Sequence, residues 1–414
     1  MQLFDFSNEL LDIAERAEEK CRRSFDRIEE ICRYNCEKVL KAFIDNNVSD
    51  MHLKGTTGYG YGDEGRDKAD AVFAQALGAE DALVRYGFVN GTHTISTALF
   101  GVLRPNDLLL SVTGAPYDTL TQVIGGESGG SLKEFGIKYE QIELLPNGKP
   151  DIEAIKERAK SAKAVYIQRS RGYSLRPSLT VSAIAEICEA VREAGSSAVI
   201  MVDNCYGEFV ECAEPTEVGA DLIIGSLIKN PGGGICSTGG YIAGKKELVE
   251  LCAYRLTTVG TGKEVGCALG GQNRELFMGL FNAPEAVKNA LKTSVFASAF
   301  FEEMGYTALP NYCEYRSDII CSIKLGTPEK LIAFCEGIQS GSPIDSNALP
   351  EPWDMPGYDC KVIMAAGAFT MGSSIELSAD APLREPYAVW LQGGTSYHAA
   401  RAGILKAAQR MLNI

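Results

Sequence analysis

Histidine is scarce. His52, His93 and His398 are the only three in 414 residues, so chemistry that relies on several imidazoles is excluded. Positive charge is in deficit, with 40 Lys and Arg against 54 Asp and Glu, for a formal net charge of −14. Such a chain repels phosphate backbones, and no nucleic-acid partner is expected. No apolar run reaches the length of a bilayer span, so no membrane partner is expected either. The first twenty residues, MQLFDFSNELLDIAERAEEK, lack the basic start and apolar core of a signal peptide, which predicts a cytoplasmic protein. No G-x-G-x-x-G follows a first strand and no G-x-x-x-x-G-K-[ST] occurs, which argues against a nucleotide site. The cysteines number 13, an odd count with no C-x-x-C. Cys32 and Cys36 lie four apart on a predicted helix with no His or second Cys pair beside them. Free, buried thiols and no metal site are the expectation.

What is present reads as globular: 45% hydrophobic and 23% charged residues, in a chain too long for one ordinary core. Residues 1–50 form an N-terminal helical segment. Leu10, Leu11, Ile13 and Ala14 begin its apolar stripe, and Phe25, Ile28, Ile31 and Cys32 continue it; that segment is expected to pack on another part of an oligomer. KGTTGYGYGDEGRDK, residues 54–68, reads as a Gly- and Tyr-rich loop. Residues 51–290 form a large domain in which strand-like and helical runs alternate. The strands are Ala82–Tyr86, Leu108–Val112, Tyr139–Leu144, Ala164–Gln168, Ala198–Asp203, Asp221–Gly225 and Gly240–Ala243. With helices such as Asp151–Ala162 and Val181–Ala194 between them, they predict an α/β fold with a mostly parallel seven-stranded sheet. Residues 291–414 read as a smaller C-terminal α+β domain. Its strands are Asp318–Lys324 and Ser374–Leu377, its helices Pro328–Ile338 and Tyr397–Asn413, and 340–360 is an irregular connection holding Trp353.

AVIMVDN, residues 198–204, is apolar until Asp203. A carboxylate at the carboxyl end of a buried strand lies where open α/β sheets bind ligands, and burial demands a positive partner. Alone it could be an N-cap or a metal ligand. The next strand ends at Ser226, and Lys229 follows, leading into Asn-Pro-Gly-Gly-Gly. The glycines would leave room for a flat ligand. A lysine and an aspartate at one sheet edge suit pyridoxal 5'-phosphate (PLP): Lys229 would form the Schiff base and Asp203 would hold the pyridine nitrogen protonated. Lys229, released, would act as general base, its pKa lowered by burial and a cationic neighbour. The cofactor's phosphate needs an anion site. Asn90 as N-cap, with the N–H groups of Gly91 and Thr92, supplies one at a helix start, and Ser226 could add a hydroxyl. Tyr117, after the second strand, is placed to stack on the ring, unless it is a core tyrosine; His93 is a rival.

Seven segments carry a family resemblance: GYGYGDEGRD (58–67), FVNGTHTISTALFGVLRPND (88–107), SVTGAPYDTL (111–120), QRSRGYSLRPSLT (168–180), VDNCYGEFVE (202–211), GSLIKNPGGGI (225–235) and GSSIELSADAPLREPY (372–387). With them the whole chain resembles the cystathionine-lyase and methionine γ-lyase group of PLP enzymes, in the branch labelled aluminium-resistance proteins. The resemblance implies the PLP-dependent transferase-like fold, aspartate aminotransferase fold type I. By position, Gly91 and Thr92 match the phosphate turn, Tyr117 the ring-stacking tyrosine, Asp203 the pyridinium partner, and Ser226 and Lys229 the Ser-x-x-Lys. Tyr59 and Tyr61 occupy the place of a Tyr-x-Arg loop that binds the neighbouring subunit's phosphate. Tyr61 replaces the arginine, and Arg66 is a candidate substitute. This implies a homo-oligomer, a dimer of dimers, with shared active sites. Arg384 would clamp the substrate carboxylate, with Arg169, Arg171 and Arg176 as rivals.

The function this implies is a PLP-dependent carbon–sulfur lyase on cystathionine, cysteine or methionine, working through an aldimine and a quinonoid. Tyr117 would help protonate the leaving thiolate. An aminotransferase-like enzyme and a non-catalytic PLP-fold regulatory protein are the alternatives.

Overall fold

The computed structural model describes residues 3–126, 129–355 and 360–414. It divides into two compact units. One comprises Asn35–Gly172 and Ser178–Asn282; the other comprises Met1–Tyr34, Tyr173–Pro177 and Ala283–Ile414.

The first unit holds seven strands: β1 Asp81–Arg85, β2 Leu108–Ser111, β3 Lys138–Gln141, β4 Ala164–Gln168, β5 Val199–Asp203, β6 Leu222–Ser226 and β7 Gly240–Gly244. They form one sheet in the order β1-β7-β6-β5-β4-β2-β3. The strands from β6 to β3 run parallel. β7 is antiparallel to both β6 and β1. The fold is thus the expected α/β one, with the mostly parallel sheet in place. β4, β5 and β6 are buried at every position, because helices cover both faces of a parallel sheet and leave no wet side. Their register sets Gln168 beside Asp203, so the carboxyl ends of β4, β5 and β6 form one ledge.

Helices start where the sequence supplies caps. Asp63 accepts from Arg66 N–H at 2.8 Å and opens the helix Glu64–Ala76. The segment 54–68 is therefore loop only as far as Asp63, since the capping aspartate outweighs the glycines behind it. Thr180 caps Val181–Glu193 in the same way, accepting from Ala183 N–H at 3.1 Å.

The second unit carries β8 Thr307–Leu309, β9 Cys321–Lys324, β10 Val362–Ala365, β11 Ser378–Pro382 and β12 Ala388–Gln392, an antiparallel sheet in the order β10-β11-β12-β9-β8. The strand expected at Ser374–Leu377 is instead a run of bends leading into β11. The helix Pro328–Ser340 packs against this sheet, and the helix Tyr397–Leu412 packs against that helix. The irregular connection at 340–360 falls partly on 356–359, outside the described residues; Trp353 pairs with Val362 across an isolated bridge.

The N-terminal segment is one helix, Asn8–Asp45. Its apolar face, including Leu10, Ala14, Ala17, Cys21 and Ile28, is buried within this chain. Ser24 Oγ donates to Tyr312 O at 2.9 Å, and Glu18 accepts from Tyr397 and Arg401. Those residues are therefore covered inside the subunit, while Tyr34, Leu40 and Ile44 of the same helix are exposed. Among the described residues, no helix is long and apolar enough to cross a membrane. Among the described residues, no disulfide joins two cysteines.

The helix Glu64–Ala76 is locked to β1 by a buried ion pair. Asp70 accepts from Arg85 at 2.6 and 3.0 Å and from Val84 N–H at 2.8 Å, with Lys263 at 3.2 Å. Removing one side of such a pair strands the other charge. Asp70→Ala should therefore lower unfolding free energy by about 3–5 kcal/mol in denaturant titration. A loss below about 1 kcal/mol would show that Arg85 finds water instead.

Candidate active site

Asp203 closes β5 with its side chain buried. Its Oδ1 accepts from Cys205 N–H at 3.1 Å, and Tyr166 on β4 directs its hydroxyl at Oδ2 from 3.4 Å. Burial pushes the carboxyl above its ordinary range; the Cys205 amide and thiol and the charge of Lys229 pull the other way. A carboxylate held like this gains from any cation brought against it.

Lys229 stands three residues past the end of β6, in the turn Ser226–Gly232. Its N–H donates to Ser226 O, and its own carbonyl accepts from Gly232 N–H. The ammonium lies 3.8 Å from the centroid of the Tyr206 ring. Burial works to lower its pKa, but Tyr206, Cys205 and Asp203 outweigh burial and the net shift is upward. This differs from the lowered value expected: three groups that can become anionic, Tyr206, Cys205 and Asp203, face Lys229. The glycines after Lys229 also serve another purpose than ligand approach. A Cβ at Gly232 would lie 1.7 Å from Leu227 O, so the turn closes on itself only because that carbon is missing.

The helix Gly91–Val102 begins at the same ledge. Asn90 caps it, its Oδ1 accepting from His93 N–H at 2.8 Å. The N–H groups of Gly91 and Thr92 lie in the first turn, which has no intrahelical acceptors. A Cβ built on Gly91 would meet Ser226 Cβ at 3.6 Å and Cys205 Sγ at 3.9 Å. Gly91, Ser226, Cys205, Asp203 and Lys229 are thus gathered at one place.

Thr92 Oγ1 lies 2.7 Å from Thr119 Oγ1, in the first turn of the helix Asp118–Gly125, and Tyr117 precedes that helix. Tyr117 N–H donates to Gln168 Oε1 at 2.6 Å, so β4 positions it. His93 is turned back on its own turn: Nδ1 accepts from Val89 N–H at 3.1 Å, and the ring packs edge-on to Phe88.

Tyr59 and Tyr61 stand elsewhere on the first unit. Their rings lie 5.7 Å apart and are 76% and 67% exposed. Arg66 is buried and turned inward, its Nη1 donating to Gly60 O at 2.8 Å and Gly266 O at 3.0 Å. It staples the loop and is not available as an outward phosphate ligand. Arg384 lies in the second unit, on the exposed turn between β11 and β12. Among its rivals, Arg169 is fully buried and committed. It donates to Glu211 at 2.7 Å, Asn204 Oδ1 at 2.8 Å, Gly207 O at 3.0 Å and Leu179 O at 3.3 Å. Arg171 is buried in the first unit, and Arg176 donates to Pro177 O in the second.

Four residues were not singled out from the sequence: Cys205, Tyr206, Gln168 and Glu208. The first two lie two and three residues after Asp203, so nearness in the chain alone could have flagged them. Glu208 is wholly buried. Tyr241 donates to its Oε1 at 2.8 Å, and Asn230, the residue after Lys229, donates to its main-chain O at 3.0 Å.

Fold and site together define a class: an α/β protein of the aspartate-aminotransferase-like architecture, with a lysine and a buried aspartate at the carboxyl ends of neighbouring strands. Within it, the chain belongs to the methionine gamma-lyase family, whose model matches residues 10–412. The uncharacterized protein YnbB of Bacillus subtilis (strain 168) is 47% identical over 390 residues, covering 93% of this chain and 92% of YnbB. A carbon-sulfur lyase involved in aluminum resistance from Clostridium novyi NT is 49% identical, with a TM-score of 0.94 over 98% of this chain and 96% of that one. The pyridoxal-5'-phosphate dependent protein YhfS of Escherichia coli is 17% identical, with a TM-score of 0.61 over 94% of this chain and 97% of its own, a likeness of fold alone. The resemblance read from the motifs thus extends over nearly the whole chain.

Burial pushes the Glu208 carboxyl up from 4.5 to about 8. Between those values the folded protein keeps a proton that the unfolded chain has released, so stability falls as pH rises through the window. Glu208→Gln removes this ionisation while keeping an acceptor for Tyr241. Urea titrations over that pH range should show the wild type losing stability relative to the variant. Parallel curves would mean that Glu208 ionises normally.

Proposed function

We propose that this protein is a PLP-dependent carbon–sulfur lyase acting on a sulfur amino acid such as cystathionine, cysteine or methionine. The observation that carries the reading is the gathering of Lys229, buried Asp203 and the open first turn at Gly91 on one ledge. Membership of the methionine gamma-lyase family and the likeness to the Clostridium novyi lyase support it.

The residues fit the cofactor. The carboxyl of Asp203, strained by burial, gains from a protonated ring nitrogen. The first-turn amides of Gly91 and Thr92, with Ser226 beside them, suit a phosphate. Lys229 is the residue that would hold the group covalently, through its aldehyde. When bound, PLP supplies an electron sink for the bond broken at the substrate α-carbon. Tyr117 would cover the ring face.

Lys229, once displaced by the substrate amine, would be the group placed to take the α-proton, at Nζ. Asp203 would hold the ring nitrogen protonated. Tyr117 is the candidate donor to the departing thiolate. Elimination of the sulfur substituent and hydrolysis then release a keto acid and ammonia. Arg384 is the proposed clamp for the substrate carboxylate. The exposed Tyr59–Tyr61 pair supports a homo-oligomer, a dimer of dimers, in which these rings reach the phosphate of a neighbouring subunit.

The visible spectrum of the purified protein tests the reading, with L-cystathionine, L-cysteine and L-methionine added in turn and keto acid assayed. The wild type should show a yellow band and turn over at least one of them. Lys229→Ala should lose the covalent band and about 10²–10⁴-fold in rate. A yellow protein that turns over none of the three would point to transamination or a regulatory role. A protein that stays colourless with added PLP would remove the cofactor assignment.

A further inference from the structure

Three residues past the end of β5 the chain adopts a backbone that bulky residues avoid. Tyr206 has φ +71°, in the left-handed region, where a side chain crowds its own carbonyl. Such a conformation persists only where the surroundings over-determine it, and it clusters at functional sites. Here the surroundings are explicit. Gly207 N–H donates to Asn204 O at 2.9 Å and closes the turn. Arg169 Nη1 grips both ends of that turn, at Asn204 Oδ1 and Gly207 O. A Cβ on Gly207 would lie 2.4 Å from the same guanidinium nitrogen. Glu211 anchors Arg169 from behind at 2.7 Å, and Glu214 fixes the following residues by accepting from Phe209 N–H at 2.8 Å. The buried network leaves the turn one shape, and that shape sets the ring of Tyr206 against Lys229. Nζ is 3.8 Å from the ring centroid, close enough for the negative face of the ring to act on a cation.

We propose that Tyr206 is a positioning residue for Lys229: its ring face receives the ammonium whenever that nitrogen is not bonded to the cofactor, and so sets how readily the proton is given up. The inference rests on the PLP reading and deepens it. A ring quadrupole attracts an ammonium and does little for a neutral amine, so the contact favours the protonated form. Asp203 and Cys205 are the other titratable groups facing Lys229, and both lie on the same extension of β5. The chemistry runs in two directions. Lys229 joins an aldehyde only as the neutral amine: the ammonium loses a proton to solvent, the N–C bond forms, and the carbonyl oxygen leaves as water. The ring contact therefore slows capture of the cofactor at neutral pH. It also favours the product of α-proton abstraction, which is the same ammonium.

Rapid mixing of the full-length, cofactor-stripped protein with PLP, from neutral to alkaline pH, tests this by the rate at which the yellow band appears. Tyr206→Leu removes the π face. Tyr206→Gly removes it too and accepts φ +71° without strain, so it guards against a folding defect in the first variant. Both should capture PLP about tenfold faster at neutral pH, with the rate profile moved down by about one pH unit. Tyr206→Phe keeps the face and loses only the hydroxyl contact, and should move less than the Leu and Gly variants. Leu and Gly profiles that overlay the wild type would overturn the inference, as would a Phe variant that moves as far as they do. A wild type that forms no Lys229-dependent band would overturn the cofactor reading and this inference with it. A normal band with overlapping profiles would overturn this inference alone.

Discussion

A carboxylate buried at the end of a central strand cannot stand as bare charge, and the site is arranged around that constraint. Asp203 is placed there by the register of β4, β5 and β6, which sets the carboxyl ends of β4 and β5 level and carries β6 two residues further, to Ser226. Everything that borders it answers the same demand. Cys205 offers an amide, Tyr166 a hydroxyl and Lys229 a charge. The ligand that best completes this set is a flat group with a protonated nitrogen at one end and an anion at the other. The open helix start at Gly91 supplies the place for that anion.

A second buried network lies behind the first and does different work. Arg169, Asn204, Glu211 and Glu214 have no role toward a ligand; they fix the path of residues 204–211. That path carries Cys205 and Tyr206 into the site and ties Glu208 to Asn230. Two acids and one arginine are costly to bury. Their return is a turn with one conformation, and therefore a lysine with one set of neighbours.

The large sheet was legible because uninterrupted apolar runs such as Ala164–Gln168 and Val199–Asp203 have the length and composition of buried strands. Of the second sheet only β9, Cys321–Lys324, was legible, within the strand expected at Asp318–Lys324. β8 has three residues and β10 four. β12 is an apolar run of five, which periodicity cannot separate from a helix turn. In the site, Lys229, Asp203, Ser226 and Gly91 could be read because each follows a recognisable strand. Tyr206 could not: its direction comes from a positive φ enforced by Arg169, which lies just past the end of β4. The same contact explains why Arg169 looked like a substrate ligand. A guanidinium after a strand end points to a ligand by position, and only the acids beyond it show that it is already satisfied.

The strand order has one more consequence. The sheet ends on β3, whose residues Lys138, Tyr139, Glu140 and Gln141 are half-buried or exposed. Glu140 is paired with Arg158 from the helix Ile152–Arg158. An edge carrying charges of both signs, one of them pinned by a neighbouring helix, makes a poor template for another strand. Copies of this chain are thereby discouraged from joining into a continuous sheet. Growth by strand addition, the route to fibres, is closed at this margin, and association is directed to side-chain surfaces, where it can be symmetric and finite.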